Sequence, residues 1–364
     1  MQELKRIINY KRIILLLIAA TVNVVFFLYD NKPVMDEDII NKENVAHETY
    51  IKNYHEEVNA IIDNADKLKK YSIFNKAGSF SYANILQTAR DFERVKNVIL
   101  PEDEYKGVQA YTTYYYQYFF TMLVMMFVIY DMFAQRDNGM WSITYSCANG
   151  RIMYAIKQTG VIVVTGAFTH TLIYWSTFIA AMLQRGGVRD LVNPVQTIET
   201  FDKFTYPWSK IKYVTVLYLI SMVCIVALCI TIWGVFVMFR NRVYALVTML
   251  IFAAVEQFIY SHIDIHSVWN GLHYINIINI ININATFSSY RNWGVGTYVF
   301  PVFSVVLFVH IICAGVIGYI AINVSASMKP YKNTTFIKRF TDCVSAGCQK
   351  ILARIPFLFK EIHK

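Results

Sequence analysis

A chain of 364 residues that is 56% hydrophobic and only 16% charged, with a mean hydropathy of +0.37, lies outside the composition of soluble domains and reads as a membrane protein. The formal charge of +9 does not point to nucleic acid, because the basic residues flank apolar blocks instead of forming an aromatic-interleaved patch on a polar domain. Six cysteines with no Cys-x-x-Cys pair among them give no zinc-site spacing and read as reduced, structural thiols.

Crossing the hydrocarbon core takes about 20 apolar residues as helix, because unpaired backbone groups are not tolerated in lipid. Lys5, Arg6, Lys11 and Arg12 precede the first such run, Ile13 to Tyr29. It lacks a small-x-small cleavage site, so residues 1–29 read as a cytoplasmic start and a membrane anchor, not a signal peptide. Residues 30–113 form a predicted extracellular insertion. Within it Tyr50, Tyr54, Val58, Ile61 and Ile62, and later Ile85, Ala89, Phe92 and Val95, recur at helical spacing. Asn75, Gly78 and Ser79 supply a turn between them, and Pro101 ends the second run. The pattern predicts a helical hairpin outside the membrane, followed by a tyrosine-rich belt from Tyr111 to Phe120 where the chain re-enters lipid.

Residues 114–328 hold five more predicted spans: Tyr116 to Phe133, Gly160 to Leu183, Val214 to Phe239, Val243 to Ser261 and Tyr298 to Val324. Basic residues cluster before the first span, after the second (Arg136, Arg151, Lys157), after the fourth (Arg240, Arg242) and after the sixth. The positive-inside rule therefore puts both termini in the cytoplasm of a multi-pass cell-membrane protein. Residues 329–364 mix Lys338, Arg339, Lys350, Arg354 and Lys360 with Phe336, Phe340, Ile351, Phe357 and Phe359, the pattern of a basic amphipathic tail on inner-leaflet lipids.

The stretch after the second span, about 135–157, contains Gln135, Arg136, Gly139, Trp141, Gly150, Arg151 and Lys157. Trp141 and its apolar neighbours can lie on the bilayer while the arginines stay wet, making a short interfacial helix broken by turn residues; a plain connecting loop fits the periodicity equally well. The arrangement resembles permeases of the ABC type-2 exporter family, in which a glycine, an apolar helix, a Gly-Arg pair and a lysine follow the second helix. Gly139, Gly150, Arg151 and Lys157 match that pattern, and Gln135 departs from it where the family usually has Glu.

The resemblance implies an all-α membrane protein, a six-transmembrane-helix exporter permease bundle with the hairpin inserted between helices 1 and 2. It implies that the 135–157 segment couples to separate ABC ATPase subunits, that the permease pairs with a second one as a homo- or heterodimer, and that ATP and Mg are bound by the partner ATPase. The chain itself has no Gly-x4-Gly-Lys-Ser/Thr phosphate loop, and no cofactor or metal of its own is expected. The cargo class expected from the family is an amphiphile: an antimicrobial peptide, a drug or a lipid.

Between the last two spans, about 262–290, Asn276, Asn279 and Asn282 place a polar stripe along an isoleucine-rich helix. Such a helix either rests on the outer interface or re-enters the membrane and lines a substrate path, as a short helix does in the exporters it resembles. Glu256 falls within the fifth span, where a carboxylate is costly and should face the bundle or a wet cavity. His170 and His310 read as helix-packing residues, while His262, Asp264, His266 and His273 have the donor types of a metal site but nothing to assemble them. His47-Glu48 and His55-Glu56 are followed by Ile51 and Asn59, so neither makes a His-Glu-x-x-His protease helix. Two other readings stand beside the exporter: a receptor-like or scaffold protein whose hairpin binds a ligand, and a lipid-modifying membrane enzyme using Glu256 and the nearby histidines.

Overall fold

A computed structural model describes residues 10–33, 36–71, 74–76, 78–101, 106–137, 150–239, 241–263, 269, 271–272 and 276–327. Six of its helices are long and apolar enough to cross a membrane: α1 (Tyr10–Asp30), α5 (Tyr116–Asp137), α6 (Gly150–Arg185), α7 (Lys210–Met238), α8 (Arg242–His262) and α11 (Val302–Ser327). The chain is thus a helical, multi-pass membrane protein. The described residues of the connections 31–115, 186–209 and 276–301 meet at one end of the bundle, where Tyr50 bonds Gln196 and Asn284 bonds Thr112.

The bundle is built around α7, which is buried along its length from Tyr213 to Val237. Its closest neighbour is α11. A Cβ on Gly318 would lie 2.9 Å from Cγ2 of Ile230, and one on Gly234 would strike Ile317, so the two glycines let these helices approach. Helix α1 buries only one stripe, Leu16, Ala20, Asn23 and Phe27, while Ile14, Leu17, Ile18 and Val25 face outward. Helix α8 buries little beyond Ala245 and Met249. Outward apolar side chains in such numbers suit a lipid solvent, in which exposure costs nothing.

The shared end carries a cap made of all three segments. Helices α2 (Glu37–Leu68) and α3 (Phe80–Glu93) pack around Tyr54, Val58, Phe92 and Val95, the stripes that the sequence periodicity marks. Asp36 and Ser79 cap their N-termini by accepting from Asp38 N and Tyr82 N. The short helix α4 (Gly107–Thr113) sits between the cap and the end of α6. A run of 3-10 turns (Arg189–Val192, Val195–Thr197, Glu199–Phe201) contacts α2 where Tyr50 Oη donates to Gln196 O at 2.7 Å.

Two features depart from the sequence expectation. The sixth span begins at Val302, because Tyr298–Pro301 is a strand, β2, paired antiparallel with β1 (Asn292–Val295). Gly296, at φ +62, makes the tight turn between them, and Pro301 lies one residue ahead of the helix. The third span is preceded by unbroken helix from Gly150, since nothing between Arg151 and Gly160 interrupts it.

Candidate functional site

At the end of the bundle away from the cap, Gln135 and Arg136 lie in the last turn of α5. Arg136 Nη1 donates to the carbonyls of Phe236 at 3.1 Å and Phe239 at 2.8 Å, and its guanidinium lies over the Phe133 ring. A cation on the last carbonyls of a helix is where the helix dipole favours it, so Arg136 fastens α5 to the end of α7. Gly139 and Trp141 lie outside the described residues. Gly150, Arg151 and Lys157 lie on the first two turns of α6, with Lys157 exposed. Nearby, Arg12 pairs with Asp131, its Nε 3.1 Å from Oδ2, and Arg242 lies over Tyr130. Asp131 thereby receives a partner that its sequence position did not reveal.

At the cap end the structure brings together two of the four substrate-path candidates. Glu256 Oε2 accepts from the backbone N–H of Ile277 at 3.1 Å, and Asn276 Nδ2 donates to the Glu256 carbonyl at 2.7 Å. Asn276 Oδ1 in turn accepts from Ile278 N at 2.8 Å. The predicted asparagine helix is in fact two short ones, α9 (Ile278–Ile281) and α10 (Ile283–Ser288), broken at Asn282. Asn279 is buried, while Asn282 lines a cleft of about 520 Å³ with Thr112, Asp202, Asn284 and Arg291. Asn284 joins three elements: Tyr213 Oη donates to its Oδ1 at 2.6 Å, and its Nδ2 donates to Thr112 O at 2.7 Å. It falls off the three-residue spacing of the stripe, so periodicity did not single it out.

A polar, aromatic cluster inside the bundle contains His170, which the sequence marks as a helix-packing residue, together with Asn23, Thr177 and Ser221, which it does not mark. Asn23 is fully buried; its Nδ2 donates to Thr177 Oγ1 at 2.7 Å and its Oδ1 accepts from Tyr114 Oη at 3.0 Å. His170 lies between the rings of Tyr118 and Tyr218, with Nε2 2.8 Å from Ser221 Oγ. Ser221 Oγ also lies 3.0 Å from the Tyr218 carbonyl, to which it can donate, so the histidine and serine are held within one hydrogen-bonded group between α6 and α7. The signal in the sequence is a set of polar residues within apolar runs; their convergence is a property of the packing.

Of the residues with metal-ligand chemistry, Asp264, His266 and His273 lie outside the described residues. His262 bonds through Nδ1 to Phe258 O at 3.0 Å. Among the described residues no group of three or more His, Cys, Asp or Glu is placed to hold a metal ion. Cys224, Cys229 and Cys313 are free thiols. In comparisons with known proteins, no family model, no curated protein and no solved structure matches the chain.

Proposed function

We propose that this chain is the membrane-spanning permease subunit of an ATP-driven exporter, moving an amphiphilic cargo through a pathway that opens between the bundle and the cap. The observation that carries the reading is the broken segment 276–288, which folds back on α5, α7, α8 and α11. Glu256 and Asn276 accept from its first backbone N–H groups, those of Ile277 and Ile278, and it presents Asn282 and Asn284 to a cleft. Irregular backbone against a membrane bundle is tolerated where it is buried in protein or lines a wet cavity, and such segments are where transporters bind solute.

The energy source in this reading is a separate ATPase carrying ATP and Mg, since the sequence has no phosphate loop. Its contact is the 135–157 segment, of which Gly150 to Lys157 continues directly into the third span. Rigid helical continuity gives a push on that segment a path into the bundle. Arg151→Glu reverses one charge there. It is expected to lower ATP hydrolysis by the purified complex severalfold while membrane insertion and melting temperature stay unchanged. An unaltered hydrolysis rate would remove the coupling role from this segment.

A further inference from the structure

A second cleft, of about 640 Å³, opens where α1 and α6 leave the membrane-spanning bundle. Its walls come from α2 (Ile40, Glu43, His47), from Lys106 and α4, and from Thr197 to Glu199, and its floor holds Asn31 and Arg185. Two of its four formal charges cancel, because Lys106 Nζ is 2.5 Å from Glu43 Oε2. Among the described residues the other two, Arg185 and Glu199, have no ion-pair partner. Arg185 is held by carbonyls, with Nε and Nη2 donating to Asn31 O at 3.1 and 2.9 Å and Nη2 also to Lys32 O at 2.9 Å. These bonds fix the guanidinium, and among the described residues no acceptor bonds Nη1 and no carboxylate pairs with the charge. Glu199 is exposed and likewise without an ion-pair partner among the described residues. His47 adds a buried Nε2 with no hydrogen-bond partner among the described residues.

We propose that this cleft binds the zwitterionic head group of a membrane phospholipid, with Arg185 taking the phosphate and Glu199 the ammonium. A fixed guanidinium suits a phosphate oxygen, and an exposed carboxylate suits a mobile amine. The position favours a lipid over a soluble zwitterion: Arg185 ends one membrane span and Asn31 directly follows another, so a head group reaches them from the leaflet without leaving it. Ile40, Ala110 and Ile198 line the same cleft and give apolar contact to the glycerol region. The proposal does not depend on export.

The test is titration of the purified full-length chain with dihexanoylphosphatidylethanolamine, dihexanoylphosphatidylglycerol and phosphorylethanolamine, read by native mass spectrometry and thermal shift. Saturable binding of the ethanolamine lipid is expected, about tenfold tighter than the glycerol lipid and tighter than the chainless head group. Glu199→Gln is expected to abolish the preference between the two lipids, and Arg185→Gln to weaken both about tenfold. Arg185 also braces α1 against α6, so if its variant fails to fold, Glu199→Gln carries the test alone. Equal affinity for the two lipids in the native chain, or an unchanged preference in Glu199→Gln, would overturn the proposal. Phosphorylethanolamine binding as tightly as the lipid, or alanine tripeptide displacing the lipid at equal concentration, would overturn its lipid part.

Discussion

Asp91 shows how single polar residues tie distant parts of this chain together. It is 7% exposed, yet it accepts from Gln87 Nε2 at 2.9 Å, from Tyr290 Oη at 3.0 Å and from Arg94. It thus locks α3 to the loop before β1. Asp91→Asn keeps the volume but loses the charge, and should loosen the cap by about 1–3 kcal/mol. Faster proteolysis between α2 and α3 would show this; unchanged protection would contradict it. Asn23 plays the same part within the bundle. Asn23→Leu leaves Tyr114 Oη without its side-chain acceptor and should cost about 1–2 kcal/mol, seen as a lower melting temperature in detergent. Glu256 and the asparagine stripe stand out in the sequence as polarity misplaced in apolar runs. That Glu256 meets Asn276, and that Arg12 meets Asp131, was not legible, because each pair is joined by tertiary packing between helices and not by spacing along one.

At the scale of elements, what the sequence reveals depends on whether an element repeats. The spans and the two cap helices carry long periodic or unbroken apolar patterns, and all of them are found. The 3-10 turns of 189–201 and the strands β1 and β2 are too short for a period, and Tyr298 to Pro301 reads as the start of the span that follows it. These short pieces complete the cap, and tyrosines pin them. Burial, reinforced by the charge of Asp91, pushes the Tyr290 hydroxyl up to about 12 from its usual 10, and burial also raises Tyr50 and Tyr54. A folded-state pKa above the unfolded one means that the folded cap binds the proton more tightly. Its contribution to stability is complete below pH 10 and is lost as the pH rises through 12. Hydrogen exchange of α2 and α3 should therefore be flat from pH 7 to 10, after correction for intrinsic rates, and rise steeply above it. In Tyr290→Phe the rise should be shallower. A transition centred below pH 9 would contradict the tyrosine origin.

For the molecule as a whole, the two ends differ in kind. Among the described residues, the cap end is a packed assembly of three segments that carries both clefts described above. The other end, among the described residues, is a set of helix termini held by Arg12, Arg136 and Arg242, with Arg151 and Lys157 at the start of α6. The proposed exporter function would use this asymmetry, with cargo met at the cap end and a partner's work delivered at the other. The outward faces of α1 and α8 are apolar, and under the proposed exporter function they would meet lipid and a second permease. The measurement that tests the central claim most directly is affinity purification of the tagged chain in mild detergent, followed by identification of co-purifying chains and an ATP hydrolysis assay. An exporter permease retains an ATPase in fixed stoichiometry and shows hydrolysis. Recovery of the intact, folded chain with no ATPase would contradict the assignment.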